Sequence, residues 1–174
     1  PDCLNQLHSL AKQPGVVGIG EIGLDYHWDY ATPSQQKAVL LPQLELAREL
    51  ALPGCRAVIR HCGSSIKAVH RLQFDRAAEL ADAAEAELRQ VQAAVADHPA
   101  IEHAGFLHDA EKEYVEARAV RAFVDGVTVP SASELAVGGP AYLRGLAEAA
   151  SELRRHLLDR LREGDVARAE QLLG

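Results

Sequence analysis

The strongest constraint on how this chain can fold is a change of texture near Gly54. The only strand-like run comes before it, and everything after it reads as helix. In PGVVGIGEIG (14–23), Val16, Val17 and Ile19 are interleaved with glycines, the pattern of a short strand buried on both faces. The loop LDYHWDYA follows. Thr32 is then placed to cap a helix, with Pro33 at its first position, running to about Leu50. Pro42 inside that helix is expected to kink it, and LPG at 52–54 to stop it. One strand and one helix cannot close an eight-stranded barrel.

From Cys55 onward the periodicity is helical. Val58, Ile59, Ile66 and Val69 mark a helix ending near Arg71. Asp75 can cap a second, which runs to about Ala96 and packs through Leu80, Leu88, Val91 and Val95. DHP at 97–99 starts a third, and Gly126 is a suitable stop. Ser131 or Ser133 caps one short turn. Pro140 opens another helix with an expected apolar stripe of Leu143, Leu146, Ala150, Leu153, Leu157 and Leu161. Gly164 ends it, and Asp165 caps a final stub. The expected class is mainly α: a helical domain over 55–174, preceded by a βα fragment over 1–54.

With 18 basic and 25 acidic residues, the chain has no broad basic surface for gripping a duplex, although a local basic groove remains open. Three cysteines without framework spacing suit reduced thiols and a cytoplasmic setting. No apolar run reaches the roughly 18–20 residues that a membrane span needs.

EKEYVEA (111–117) sets three carboxylates within six helical positions. Glu113 and Glu116 are three apart, and Glu148 and Glu152 four apart, so each pair shares a helix face. Two readings stand. One is a solvated acidic face, with Glu152 pairing to His156 four residues on. The other is a convergence of four hard oxygen ligands suited to Mg²⁺.

VVGIGEIGLDYHWDY followed by QLELARELALP resembles the TatD-type metal-dependent deoxyribonucleases, which are TIM barrels. The resemblance implies that Glu21 is the counterpart of a metal-bridging glutamate. It supplies no His-x-His pair, and His61 falls only near the place of the family's next histidine.

The remainder resembles a second family. CGSSIKAVHR, DHPAIEHAGFLHDAEKEYVEA, PAYLRGLAEAASELRR and EGDVARAEQLL, in that order over about residues 56–173, look like the translin family, closest to its archaeal members and to translin-associated factor X. The resemblance implies an α-helical fold that binds single-stranded RNA or DNA. It also implies homo-oligomers, or assembly with a translin-family partner subunit. Catalytic members carry acidic residues where this chain has Glu113, Glu116, Glu148 and Glu152, with Glu148 standing in for the usual aspartate. His103 and His108 lie near the family's nucleic-acid path, and Arg118, Arg121, Arg154 and Arg155 are further candidates for phosphate contact. The family usually continues beyond the position of Gly174, so a C-terminally shortened domain is expected. Three functions follow: a Mg²⁺-dependent endoribonuclease, a non-enzymatic nucleic-acid-binding subunit, or a remnant of TatD-type DNA hydrolysis.

Overall fold

The computed structural model describes residues 24, 31–46, 51–96 and 105–173. Within them the helices are α1 (Pro33–Leu46), α2 (Leu52–His70), α3 (Phe74–Val95), α4 (Gly105–Asp125), α5 (Gly139–Arg162) and α6 (Val166–Leu173). No strand occurs among the described residues. The strand expected around Val16–Ile19 lies outside them, so the structure supports the mainly helical class and does not show the βα fragment.

Local chemistry explains most helix ends. The Gln35 backbone N–H donates to Thr32 Oγ1 at 3.3 Å, and the Gln35 side chain accepts from the Thr32 N–H at 2.9 Å, a reciprocal cap. LPG does not act as a stop. It opens α2, with Pro53 in the first turn, where its missing N–H leaves no hydrogen bond unmade. The cap of α3 is Gln73, and Asp75 sits inside its first turn. Gly126 ends α4 at φ +71°, a left-handed conformation that glycine adopts without strain. Ser131 and Glu134 cap the next turn reciprocally, and Asp165 Oδ1 accepts from the Arg168 N–H at 3.2 Å to start α6.

Helix α4 is the central element, packed against α2, α3 and α5, while α6 folds back on α5. One core cluster gathers Cys55, Val58, Cys62, Leu88, Val91, Val95, Leu107, Tyr114 and Val115. A second gathers Val69, Ala77, Val120, Val124 and Ala149. Cys55 and Cys62 are free and buried, and burial raises both thiols, to about 11 and about 12, so they are inert packing groups.

The buried face of α5 is not the leucine stripe. Leu143 is 68% exposed and Leu161 is also exposed, whereas Ala141, Gly145, Ala149, His156 and Arg160 point inward. Small residues win because α4 and α5 approach very closely. A Cβ at Gly145 would lie 2.6 Å from the Lys112 carbonyl oxygen and 2.6 Å from Val115 Cβ. Only glycine fits that crossing, and the larger side chains are displaced to its flanks.

Candidate metal centre

The crossing at Gly145 decides where the acidic residues meet. Glu113 and Glu116 project from the middle of α4, and Glu148 stands one turn beyond Gly145 on α5. One oxygen from each of Glu113, Glu116 and Glu148 lies within 4.8 Å of the others. Three carboxylates from two helices therefore face one another, where the spacing had suggested a group of four that included Glu152.

Their environments differ. Glu116 is nine-tenths buried and has no hydrogen-bond or ion-pair partner among the described residues. Its burial, then the charges of Glu113, Glu148 and Glu152, push its carboxyl up to about 7, with Lys112 opposing. An uncompensated buried carboxylate is costly unless a cation or a proton answers it. Glu113 and Glu148 share the Lys112 ammonium, at 3.0 and 2.6 Å from Nζ. Burial alone would lower the Lys112 pKa, but the hydrogen bonds to Glu148 and Glu113 outweigh it and the net shift is upward. The donor set of three carboxylate oxygens suits a hard divalent cation, which they would hold together with water. Such an ion polarises a phosphate and acidifies bound water.

Glu152 stands slightly apart. It does not pair with His156. Instead His70 Nε2, from the last turn of α2, donates to Glu152 Oε2 at 2.7 Å. His156 is fully buried, neither ring nitrogen has a partner among the described residues, and its ring lies 5.5 Å from that of His70. Burial, followed by the charges of His70, Arg160 and Arg168, lowers its pKa, which keeps the ring neutral.

The basic candidates separate into two groups. Arg118 is bound to Glu85, Asp82 and the Tyr114 hydroxyl, with its guanidinium 5.5 Å from the Tyr114 ring centroid. Arg121 holds the Phe74 carbonyl at 2.8 Å and Asp125 at 2.5 Å. Both are engaged in holding helices together. Arg154 is exposed and has no partner among the described residues, and Arg155 is exposed with Glu152 at 3.9 Å. His108 Nε2 lies 3.4 Å from Arg144, an exposed arginine on α5. His103 and Glu21 lie outside the described residues.

Sequence reasoning missed His70, Lys112 and Arg144. Lys112 could have been found, since it is adjacent to Glu113 on a half-buried helix. His70 could not, because it lies 82 residues from its partner on another helix.

Known proteins fall on both sides of the change in texture. The TatD related DNase family matches over residues 1–120. The 3′-5′ ssDNA/RNA exonuclease TatD of Klebsiella pneumoniae (strain 342) is 44% identical over 62 residues, covering 36% of this chain and 22% of that protein. Its Cronobacter turicensis counterpart is 46% identical over 57 residues, covering 33% and 20%. The chain thus spans about a fifth of these relatives, as the 22% and 20% shares show. The crystal structure of AfC3PO superposes with a TM-score of 0.72 at 33% identity, over 82% of this chain and 73% of that one. A complex of AfC3PO with duplex RNA gives 0.71 at 32% identity, with the same coverage. The TatD match extends to residue 120, through helices whose described structure is that of the AfC3PO-like bundle. No described helix is long and apolar enough to cross a membrane. The chain belongs to the TatD-related DNases through residues 1–120, and its helical bundle belongs with translin-family C3PO.

Proposed function

We propose that the protein is a Mg²⁺-dependent endoribonuclease that cuts single-stranded RNA at the carboxylate cluster between α4 and α5. The observation that carries this reading is Glu116, a buried carboxylate without a partner among the described residues, facing Glu113 and Glu148 within 4.8 Å. Glu113, Glu116 and Glu148 would hold the cation, and Glu152 completes the acidic group beside them. The bound ion would supply charge stabilisation at phosphorus and an acidified water. The chain's own residues do the rest. Gly145 sets the distance between the carboxylates, and Lys112 balances part of their charge. Arg144, Arg154 and Arg155 lie exposed on α5, where they can reach backbone phosphates, with Arg154 alone of the three having no partner among the described residues. Support for a nucleic-acid ligand comes from AfC3PO, whose structure with duplex RNA shares this bundle.

A second reading, a nucleic-acid-binding oligomer subunit that does not cut, is favoured by one feature. Lys112 already places a positive charge between Glu113 and Glu148. Residual TatD-type hydrolysis would depend on Glu21.

End-labelled single-stranded and duplex RNA, and single-stranded DNA, incubated with Mg²⁺ or EDTA, separate these readings. The first expects Mg²⁺-dependent RNA cutting that Glu116→Gln and Glu152→Ala abolish. Binding without cutting in any divalent ion selects the second. Cutting that survives both substitutions and vanishes with Glu21→Ala selects the third.

A further inference from the structure

We propose that His70 is a positioning residue of this site, holding Glu152 out of the cation's ligand set so that Glu113, Glu116 and Glu148 bind the ion and Glu152 stays an unligated carboxylate beside it. The inference rests on the cation site proposed above.

Three observations carry it. The first is the division among the carboxylates. Among the described residues, only Glu113, Glu116 and Glu148 bring oxygens within 4.8 Å of one another, while Glu152 Oε2 is taken by His70 Nε2 at 2.7 Å. The second is how firmly His70 is held. Its side chain is only 9% exposed, and its ring lies 5.5 Å from the fully buried ring of His156. Arg160, itself buried, reaches the His70 carbonyl oxygen at 3.4 Å and is anchored to Glu163 at 2.7 Å. A ring packed in this way has little freedom to follow a swinging glutamate, so it fixes the glutamate instead. The local alternative, pairing Glu152 to His156 on the same helix, is not used.

The third is charge. Three carboxylates are neutralised by one divalent cation together with the Lys112 ammonium. A fourth carboxylate in the same half-buried space would leave excess negative charge, which low-dielectric surroundings penalise. The hydrogen bond from His70 Nε2 at 2.7 Å instead holds the Glu152 carboxylate outside that space. Holding a carboxylate near a bound cation without ligating it leaves that carboxylate available to bind and orient a water molecule.

The test is Mn²⁺ binding, followed by the loss of the free-ion electron paramagnetic resonance signal, on wild type, Glu116→Gln, Glu152→Gln, His70→Gln and His70→Leu. Each is paired with kcat and KM on single-stranded RNA. Glu116→Gln weakens Mn²⁺ by about tenfold or more, whereas Glu152→Gln leaves affinity within about twofold and lowers kcat by at least about tenfold at unchanged KM. His70→Leu frees Glu152 to join the cation, so Mn²⁺ binds about threefold or more tightly while kcat falls. His70→Gln keeps an N–H donor of similar reach and restores both values toward wild type. A merely structural role for His70 would not tighten cation binding, nor be rescued by glutamine. Two results overturn the proposal: Glu152→Gln weakening Mn²⁺ as much as Glu116→Gln does, or His70→Leu leaving affinity and kcat unchanged. Wild type that binds no Mn²⁺ overturns the cation site itself and this inference with it, an outcome distinct from the other two.

Discussion

Glu116 joins the packing of the bundle to its chemistry at the scale of one side chain. Its carboxyl titrates near 4.5 in the unfolded chain and at about 7 in the folded one. Between those values the folded protein holds a proton that the unfolded chain has released, so stability falls as pH rises through that window and levels off above it. The full effect is roughly 3 kcal/mol, taking about 1.4 kcal/mol per pKa unit. Urea melts at pH 5 and pH 8 should show the loss in wild type, and Glu116→Gln should largely remove it while weakening cation binding by about tenfold or more. Lys112→Met should act in the opposite direction on the cation. With no ammonium competing for Glu113 and Glu148, calorimetry should show Mg²⁺ binding tightened by about two- to fivefold, the worth of a partly exposed ion pair. At this scale the acidic residues were legible, because helical spacing and the family blocks both single them out. His70 was not, since a spacing rule sees only neighbours on one helix and therefore offered Glu152 to His156.

At the scale of elements, helix ends were readable in part, since LPG opens a helix it was expected to stop and Gln73 takes the cap expected of Asp75. Thr32, Gly126, Ser131 and Asp165 act where they were expected to, because capping is a local matter of backbone donors and side-chain oxygens. The inward face of α5 was misread because large apolar residues ordinarily mark a core, and here the core requirement is closeness. Ala141, Gly145 and Ala149 form a seam, with Leu146 and Leu153 packing only partly beside it. Gly145→Ala should therefore destabilise the protein by about 1–3 kcal/mol, the usual range for overpacking. It should also weaken Mg²⁺ binding, because α4 and α5 must separate to admit the methyl group. Thermal melts and calorimetry on the same sample would show both effects. A change in stability without a change in affinity would mean that the crossing does not set the site.

At the scale of the whole molecule, α5 carries Leu143, Leu158 and Leu161 exposed, with Val166 exposed on α6. Apolar side chains left on two consecutive helices favour association of copies. Sedimentation velocity should show concentration-dependent self-association, which Leu143→Lys with Leu158→Lys should suppress. A monodisperse wild-type monomer at every concentration would contradict this. The mainly helical class was legible because helical periodicity is strong and local. How the two families represented in one chain came to adjoin was not, because α2 begins at Leu52 and runs without a break across the change of texture. A residue larger than glycine in place of Gly145 would push apart the two helices that carry Glu113, Glu116 and Glu148, so one position ties the packing of the bundle to the spacing of its carboxylates.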